Sequence, residues 1–290
     1  MKVQKTIFVT GGTGKQGGAA ARNLAKEGFR VKVLSRDPDS PKARGLAALG
    51  IEVVRGNLDK PESYEQQLKE ADGVFSVQTF EYGTKKEIAQ GKALASLARE
   101  LGVQHFVYSS VAWADAGSGV PHFESKLQIE DHIKGLGMPY TILRPASLYE
   151  NFLYPQVKEA LINGTLVQPT RESTRLQYVA SEDVGRAVAQ IFLNPENYMN
   201  RTLNLATENL STSQVASIFA SELERPVGYQ YLPGQLLGYE LDLMYQWMND
   251  RNPQNRDGQD QVKREFPDQI PLQTWIAMNF RGEQEEHPQT

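Results

Sequence analysis

The run Gly11-Gly12-Thr13-Gly14-Lys15-Gln16-Gly17-Gly18 limits the folds open to this chain more than any other feature. It follows a short β-branched and aromatic segment, Thr6-Ile7-Phe8-Val9-Thr10, and leads into Ala19-Ala20-Ala21-Arg22-Asn23-Leu24-Ala25-Lys26-Glu27. That order reads as a buried strand, a tight glycine turn and a helix. Each glycine of the triplet Gly11, Gly14 and Gly17 has a separate physical task. Gly11 lets the strand turn sharply, Gly14 lets backbone approach a pyrophosphate, and Gly17 lets helix and strand pack closely. Phosphates would then rest on the open amides at the helix start. The alternative is a merely structural turn, but the strand before and the helix after supply the context that a dinucleotide site requires.

Composition removes several other chemistries. The chain has no cysteine, which excludes disulfides, thiolate catalysis and Cys-ligated zinc or iron–sulfur sites. With 290 residues, 40% hydrophobic and 23% charged, it reads as a globular protein with one large core or a core and a smaller lobe. A net charge of −4 and the lack of a long Lys/Arg cluster argue against direct binding to nucleic acid. No apolar run approaches the length of a membrane span, and the first strand begins too early for a secretory leader, so a cytoplasmic location is expected. The histidines His105, His122, His132 and His287 lack metal-ligand spacing, and no Gly-x-Ser-x-Gly elbow occurs. Neither a metal site nor a serine hydrolase is expected.

Strand and helix then alternate along the chain. Strands are expected at Arg30–Leu34, Ile51–Gly56, Val74–Val77, His105–Ser110 and Tyr140–Pro145, with helices between them, the longest from Lys86 to Leu101. This repetition predicts an α/β fold, a Rossmann-type doubly wound parallel sheet with a smaller mixed C-terminal lobe. The dinucleotide-binding domain is expected over 1–152 with a return segment at 175–206, in which Arg175–Val179 and Thr202–Leu205 rejoin the sheet. Segments 153–174 and 207–290 form the smaller substrate or partner lobe. There, Ser211 to Gln214 reads as a capping box. A helix at about Gln235 to Asn249 carries Leu237, Tyr239, Leu241, Met244, Tyr245, Trp247 and Met248, a stripe expected in the core or, alternatively, on the wall of a substrate pocket. Asn252 to Gly258 reads as a loop and Gly282 to Thr290 as a polar tail.

Two places carry the candidate chemistry. At the end of the second strand, Ser35 and Arg36 stand where an NAD enzyme usually places a carboxylate, roughly 20 residues beyond the glycines. A guanidinium there favours NADP through its 2′-phosphate; the other reading is a solvated surface arginine beside Asp37. His122 and Lys126 are four apart at a helix start and so face the same way. His122 is a candidate proton relay, or else a surface histidine beside a ribose-binding lysine.

The motifs Gly11-Gly12-Thr13-Gly14-Lys15-Gln16-Gly17, Gln90-Gly91-Lys92, Val107-Tyr108-Ser109, His122-Phe123-Glu124-Ser125-Lys126 and Tyr149-Glu150-Asn151-Phe152 occur in this order. Together they resemble the NmrA-like family of atypical short-chain dehydrogenases. The resemblance covers nearly the whole chain, including Leu272-Gln273-Thr274-Trp275. It implies NADP(H) binding by Gly11, Thr13, Gly14, Lys15, Gln16, Gly17, Arg36, Asn57, Leu58, Thr79, Lys126, Tyr149 and Asn151. In the wider superfamily the His122-to-Lys126 spacing is normally Tyr-x-x-x-Lys, so Lys126 and His122 are the expected catalytic positions. Two activities are implied. Some members reduce quinones, triphenylmethane dyes or plant phenolic ethers with NADPH, which implies a small aromatic or quinone-like substrate. Others sense the dinucleotide and pass its redox state to a regulatory partner protein. A monomer or a dimer is compatible with either.

Overall fold

The computed structural model describes residues 4–251 and 263–280. The expected loop at Asn252 to Gly258, the tail at Gly282 to Thr290 and His287 lie outside the described residues. The chain divides into two compact units, one of 1–145 with 181–204, the other of 146–180 with 205–290.

In the first unit, β1 (Thr6–Val9), α1 (Lys15–Lys26), β2 (Arg30–Ser35), α2 (Pro41–Ala47), β3 (Glu52–Arg55), α3 (Glu65–Lys69) and β4 (Gly73–Ser76) come in succession. They are followed by α4 (Thr84–Glu100), β5 (His105–Ser109), α5 (Pro121–Gly135) and β6 (Tyr140–Pro145). All residues of β1, β4 and β5 are buried, so these strands read as continuous rather than alternating hydrophobic runs, as parallel strands covered on both faces do. The sheet has seven strands in the order β10-β6-β5-β4-β1-β2-β3, where β10 is Arg201–Leu205 beside β6. The neighbours from β3 through β6 pair in parallel. One face is filled by Phe8, Tyr64, Leu94, Phe106, Tyr108, Ile129 and Ile142.

Helix α7 (Ser181–Leu193) packs against α1. A Cβ on Gly185 would lie 2.6 Å from the Ala19 backbone, so the helices meet through their main chains. Asn23 Nδ2 donates to Glu182 Oε1 at 2.9 Å and pins that contact. Helix α1 begins at Lys15 rather than after the last glycine, which places Gly17 and Gly18 inside the helix.

The second unit holds β7 (Ser147–Leu148), α6 (Pro155–Ile162), β8 (Thr165–Gln168), β9 (Arg175–Val179), β11 (Glu208–Ser211) and α8 (Thr212–Glu222). It ends with β12 (Gly228–Tyr231), α9 (Tyr239–Arg251) and α10 (Leu272–Phe280). Strand β9 does not rejoin the large sheet as expected. It lies between β11, to which it is antiparallel, and β7, to which it is parallel. The polar Arg175 and Gln177 alternate with Leu176 and Tyr178, and the latter two face the second unit's own core. Gln177 is buried as well, so the strand's place in the smaller sheet is set by its pairing with β11 and β7. Tyr149, Phe152, Tyr178, Phe219, Trp275 and Phe280 build this core. The expected capping box is present: Gln214 N donates to Ser211 Oγ at 3.1 Å and Ser211 N donates to Gln214 Oε1 at 2.9 Å.

The expected apolar stripe of α9 is half-buried from Leu241 to Met248, with Met248 packed against the second unit's core. Tyr239 is 77% exposed, and the buried position of the helix is Asn249. Asn249 Oδ1 accepts from Arg171 N at 2.7 Å and Thr174 Oγ1 at 2.8 Å, while its Nδ2 donates to the Pro169 carbonyl at 2.9 Å. A buried amide satisfied on both ends anchors α9 beside these hydrophobic contacts.

Candidate functional site

The strands of the first unit deliver the glycine loop, Arg36, Asn57, Thr79 and Ser109 to the C-terminal edge of the sheet. Gly11 has φ +62°, a value that glycine adopts without strain. A Cβ at Gly17 would lie 2.3 Å from the Gly11 carbonyl oxygen, so no side chain fits between loop and helix. At Gly14 the same atom would meet only that oxygen, at 3.1 Å. Gly14 is therefore exposed to space outside the protein, whereas Gly17 is locked inside. The Thr10 hydroxyl donates to the Val77 carbonyl at 3.0 Å and accepts from its amide at 2.8 Å, tying the loop to the segment after β4.

Gly14 is also the N-cap of α1, with no side-chain cap and no acidic residue in the first turn. The first amides of a twelve-residue helix thus keep their partial positive charge uncompensated. Thr13 and Gln16 are half-buried, and Lys15 is exposed. Gln16 Oε1 accepts from Ser109 Oγ at 2.6 Å, which fixes the loop's far end to β5.

Arg36 is exposed, donates to the Tyr82 hydroxyl at 3.3 Å and lies 5.3 Å from the Tyr82 ring centroid. Asp39, three residues further on, is paired with Arg55 at 3.0 Å. Asp37 Oδ1 accepts from the Asp39 amide at 3.1 Å. Asn57 N donates to Ser63 Oγ at 2.9 Å, its Oδ1 accepts from Asp59 N at 3.0 Å, and Leu58 packs on the core. Thr79 is exposed, and its hydroxyl accepts from the Glu81 amide at 3.2 Å.

Lys126 is buried and forms a 2.7 Å ion pair with Glu87 Oε1. Glu87 is wholly buried in the first turn of α4, and its other oxygen accepts from the Ser125 hydroxyl. The lysine charge is balanced inside the protein before any ligand arrives. His122 is 4% exposed rather than at the surface. Its ring stacks on Phe80 with centroids 4.5 Å apart, and meets Phe123 edge-on. Burial, reinforced by the Lys126 charge, pushes its pKa down to about 4. The imidazole is neutral at neutral pH, so the titration that a relay near pH 7 would use is displaced well to the acid side.

The last two candidates belong to the second unit. Tyr149 is completely buried, stacks on Tyr178 and donates its hydroxyl to Glu208 Oε2 at 2.6 Å. Its ring is an element of the second unit's core. Asn151 in the same turn is exposed and donates to Ser147 Oγ at 3.5 Å.

Sequence reading missed Glu87, Tyr82, Lys86 and Ser109. Glu87 carried one local signal, an acid on an otherwise apolar stripe with Leu94 and Ala98, both buried as it is. Its lysine partner lies 39 residues away.

The strand order, with the glycine loop between β1 and α1, defines a doubly wound Rossmann-type fold of the dinucleotide-binding class. The NmrA-like family profile matches residues 3–268, and the chain belongs to that family. An NmrA-like family domain-containing protein of Dictyostelium discoideum is 29% identical over 273 residues, covering 86% of this chain and 88% of the relative. Among solved structures, NmrA, a negative transcriptional regulator in complex with NADP, superposes with a TM-score of 0.85 at 24% identity, covering 98% of this chain and 97% of that one. The same regulator is also solved in complex with NAD. The triphenylmethane reductase of Citrobacter sp., complexed with NADP(H), gives a TM-score of 0.80 at 22% identity over 94% and 99% of the two chains. Among the described residues no helix is long and apolar enough to cross a membrane.

Proposed function

We propose that this protein binds NADP(H) and reduces a quinone or other small aromatic acceptor by hydride transfer. The observation that carries the reading is the cradle at Gly14: space that a side chain would fill lies against the uncapped start of α1, where a pyrophosphate is held by backbone amides. Arg36 supports NADP over NAD, because β2 ends at Ser35 rather than at a carboxylate and the Arg36 guanidinium beside it is exposed. Lys126 binds the nicotinamide ribose and is oriented for it by Glu87. When bound, the dinucleotide supplies the hydride. His122 and Phe80 form a flat, apolar wall, and neither donates a proton at neutral pH. Acceptors that take a hydride without simultaneous protonation by the protein suit such a site; the proton comes from solvent.

A second reading is a sensor that binds the dinucleotide and regulates a partner protein; the histidine in place of a tyrosine does not decide between the two, because hydride transfer to a quinone or cationic dye needs no protonating tyrosine. NADPH oxidation measured against a panel of quinones and cationic dyes separates the two. Turnover is expected, retained in the surface variant Lys69→Ala and lost when Lys126→Met is combined with Glu87→Gln, which leaves no buried charge uncompensated. NADPH binding by calorimetry without turnover of any acceptor overturns the reductase reading in favour of the sensor. Failure to bind NADPH overturns both.

A further inference from the structure

The exposed ring of Tyr82 holds two cations. Arg36 from the end of β2 lies 5.3 Å from its centroid, and Lys86 Nζ from the first turn of α4 lies 5.5 Å from the same point. Such stacking is favourable for each cation, but it brings like charges together beside a ring that is 55% exposed. Asp59 acts electrostatically on both but pairs directly with only one of them. Lys86 pairs with Asp59 Oδ2 at 2.7 Å, while no ion pair joins Arg36 to an acid among the described residues. Asp59 also accepts from Gln90 Nε2 at 2.7 Å, and Lys86 and Gln90 together hold its carboxyl below the usual range. The side chains of Lys86 and Asp59 are 41% and 36% exposed, so exchanging one anionic partner for another requires no repacking of the core.

Resting on the NADP(H) reading, we propose that Lys86 is the second cation of the 2′-phosphate site, with Arg36 the first, and that Lys86 leaves Asp59 for the phosphate when NADP(H) binds. Reading onward from Arg36 does not reveal the position, since Asp37, Asp39 and Ser40 precede the next base, Lys42. The cation comes from α4, across the sheet edge. A dianionic phosphate between two cations on one ring relieves their repulsion, and a ribose hydroxyl does not.

Calorimetric titration of wild type, Lys86→Gln, Lys86→Arg and Asp59→Asn with NADPH, NADH and 2′,5′-ADP tests this. Lys86→Gln is expected to weaken NADPH and 2′,5′-ADP about tenfold, the scale of one lost charge-assisted contact, and NADH by less than about twofold. Lys86→Arg keeps the preference. Asp59→Asn strengthens NADPH binding several-fold because its competitor for Lys86 is gone. Wild type that binds both dinucleotides, with a ratio unchanged in Lys86→Gln, overturns the assignment of Lys86 and leaves the dinucleotide reading intact. An equal loss for NADPH and NADH also overturns it, as does an Asp59→Asn variant that shows no gain. Wild type that binds neither dinucleotide overturns the function on which this assignment rests.

Discussion

Acidification offers a direct measure of how completely the site buries His122, and the variant that reads it is His122→Phe. The folded pKa of about 4 lies below the free value of 6.5, so the proton prefers the unfolded chain. The corresponding stability is fully present above about pH 6.5 and is lost as pH falls through 4. A shift of this size corresponds to about 3 kcal/mol when complete, and to about 2 kcal/mol between pH 7 and pH 5. His105 is depressed to about 4 for the same reason, burial first and Lys5 second, and contributes a similar amount. Wild type therefore loses about 4 kcal/mol over that interval from the two histidines. The pH 7 to pH 5 window lies above most carboxylate titration, which keeps the histidine contribution separable. Phenylalanine preserves the stack on Phe80 and removes the proton, so His122→Phe should lose about 2 kcal/mol less than wild type over this interval, whatever it costs at pH 7, while His132, also depressed by burial, titrates alike in wild type and variant. Urea unfolding followed by circular dichroism at pH 7 and pH 5 gives both differences. An unchanged acid loss in the variant would refute the argument, since His122 would then titrate alike in the folded and unfolded chains.

Three further perturbations test separate parts of the site. Gly14→Val should fold, since its Cβ meets only the Gly11 oxygen at 3.1 Å, yet show no NADPH binding by calorimetry. Arg36→Ala should weaken NADPH by about ten- to a hundredfold and leave NADH little changed, and equal losses would remove Arg36 from the 2′-phosphate site. Lys126→Met should cost about 3–5 kcal/mol in urea unfolding by stranding the buried Glu87 carboxylate, and Glu87→Leu in the same chain should restore most of it; strictly additive losses would mean the pair is not coupled.

The large sheet was legible because its evidence is local. A run such as Phe106-Val107-Tyr108 is buried throughout, and its apolar continuity announces a covered parallel strand without knowledge of its neighbours. Gly28 and Gly102, just beyond α1 and α4, have φ of +84° and +76°, values that glycine adopts where a helix ends. Two expectations failed for physical reasons. The strand Arg175–Val179 has the right length and residues for any sheet and is buried from 176 to 179, so only its distant partners β11 and β7 mark it for the smaller one. In α9, large apolar residues suggested core, but burial is decided by what packs against a helix, and here the stripe is only half-buried and shares the holding with a polar anchor at Asn249.

The glycine cradle was readable for the same reason as the strands: its constraints act between residues a few positions apart, as the closeness of Gly17 to Gly11 demonstrates. The charges around it follow a different rule. Lys126 meets Glu87 across 39 residues, and Arg36 meets Tyr82 across 46, because α4 carries both Glu87 and Lys86 and lies next to α5. Adjacent positions on one helix thus serve opposite tasks. Glu87 points into the protein and neutralises a lysine there, while Lys86 remains half-exposed and adds positive charge at the end of β2. A residue's charge can be read from sequence, but whether that charge is spent inside the protein or offered to a ligand depends on which side of α4 it occupies. The first turn of α4 therefore couples both ends of the proposed dinucleotide site, and changing the helix's seating should alter ribose and 2′-phosphate recognition together.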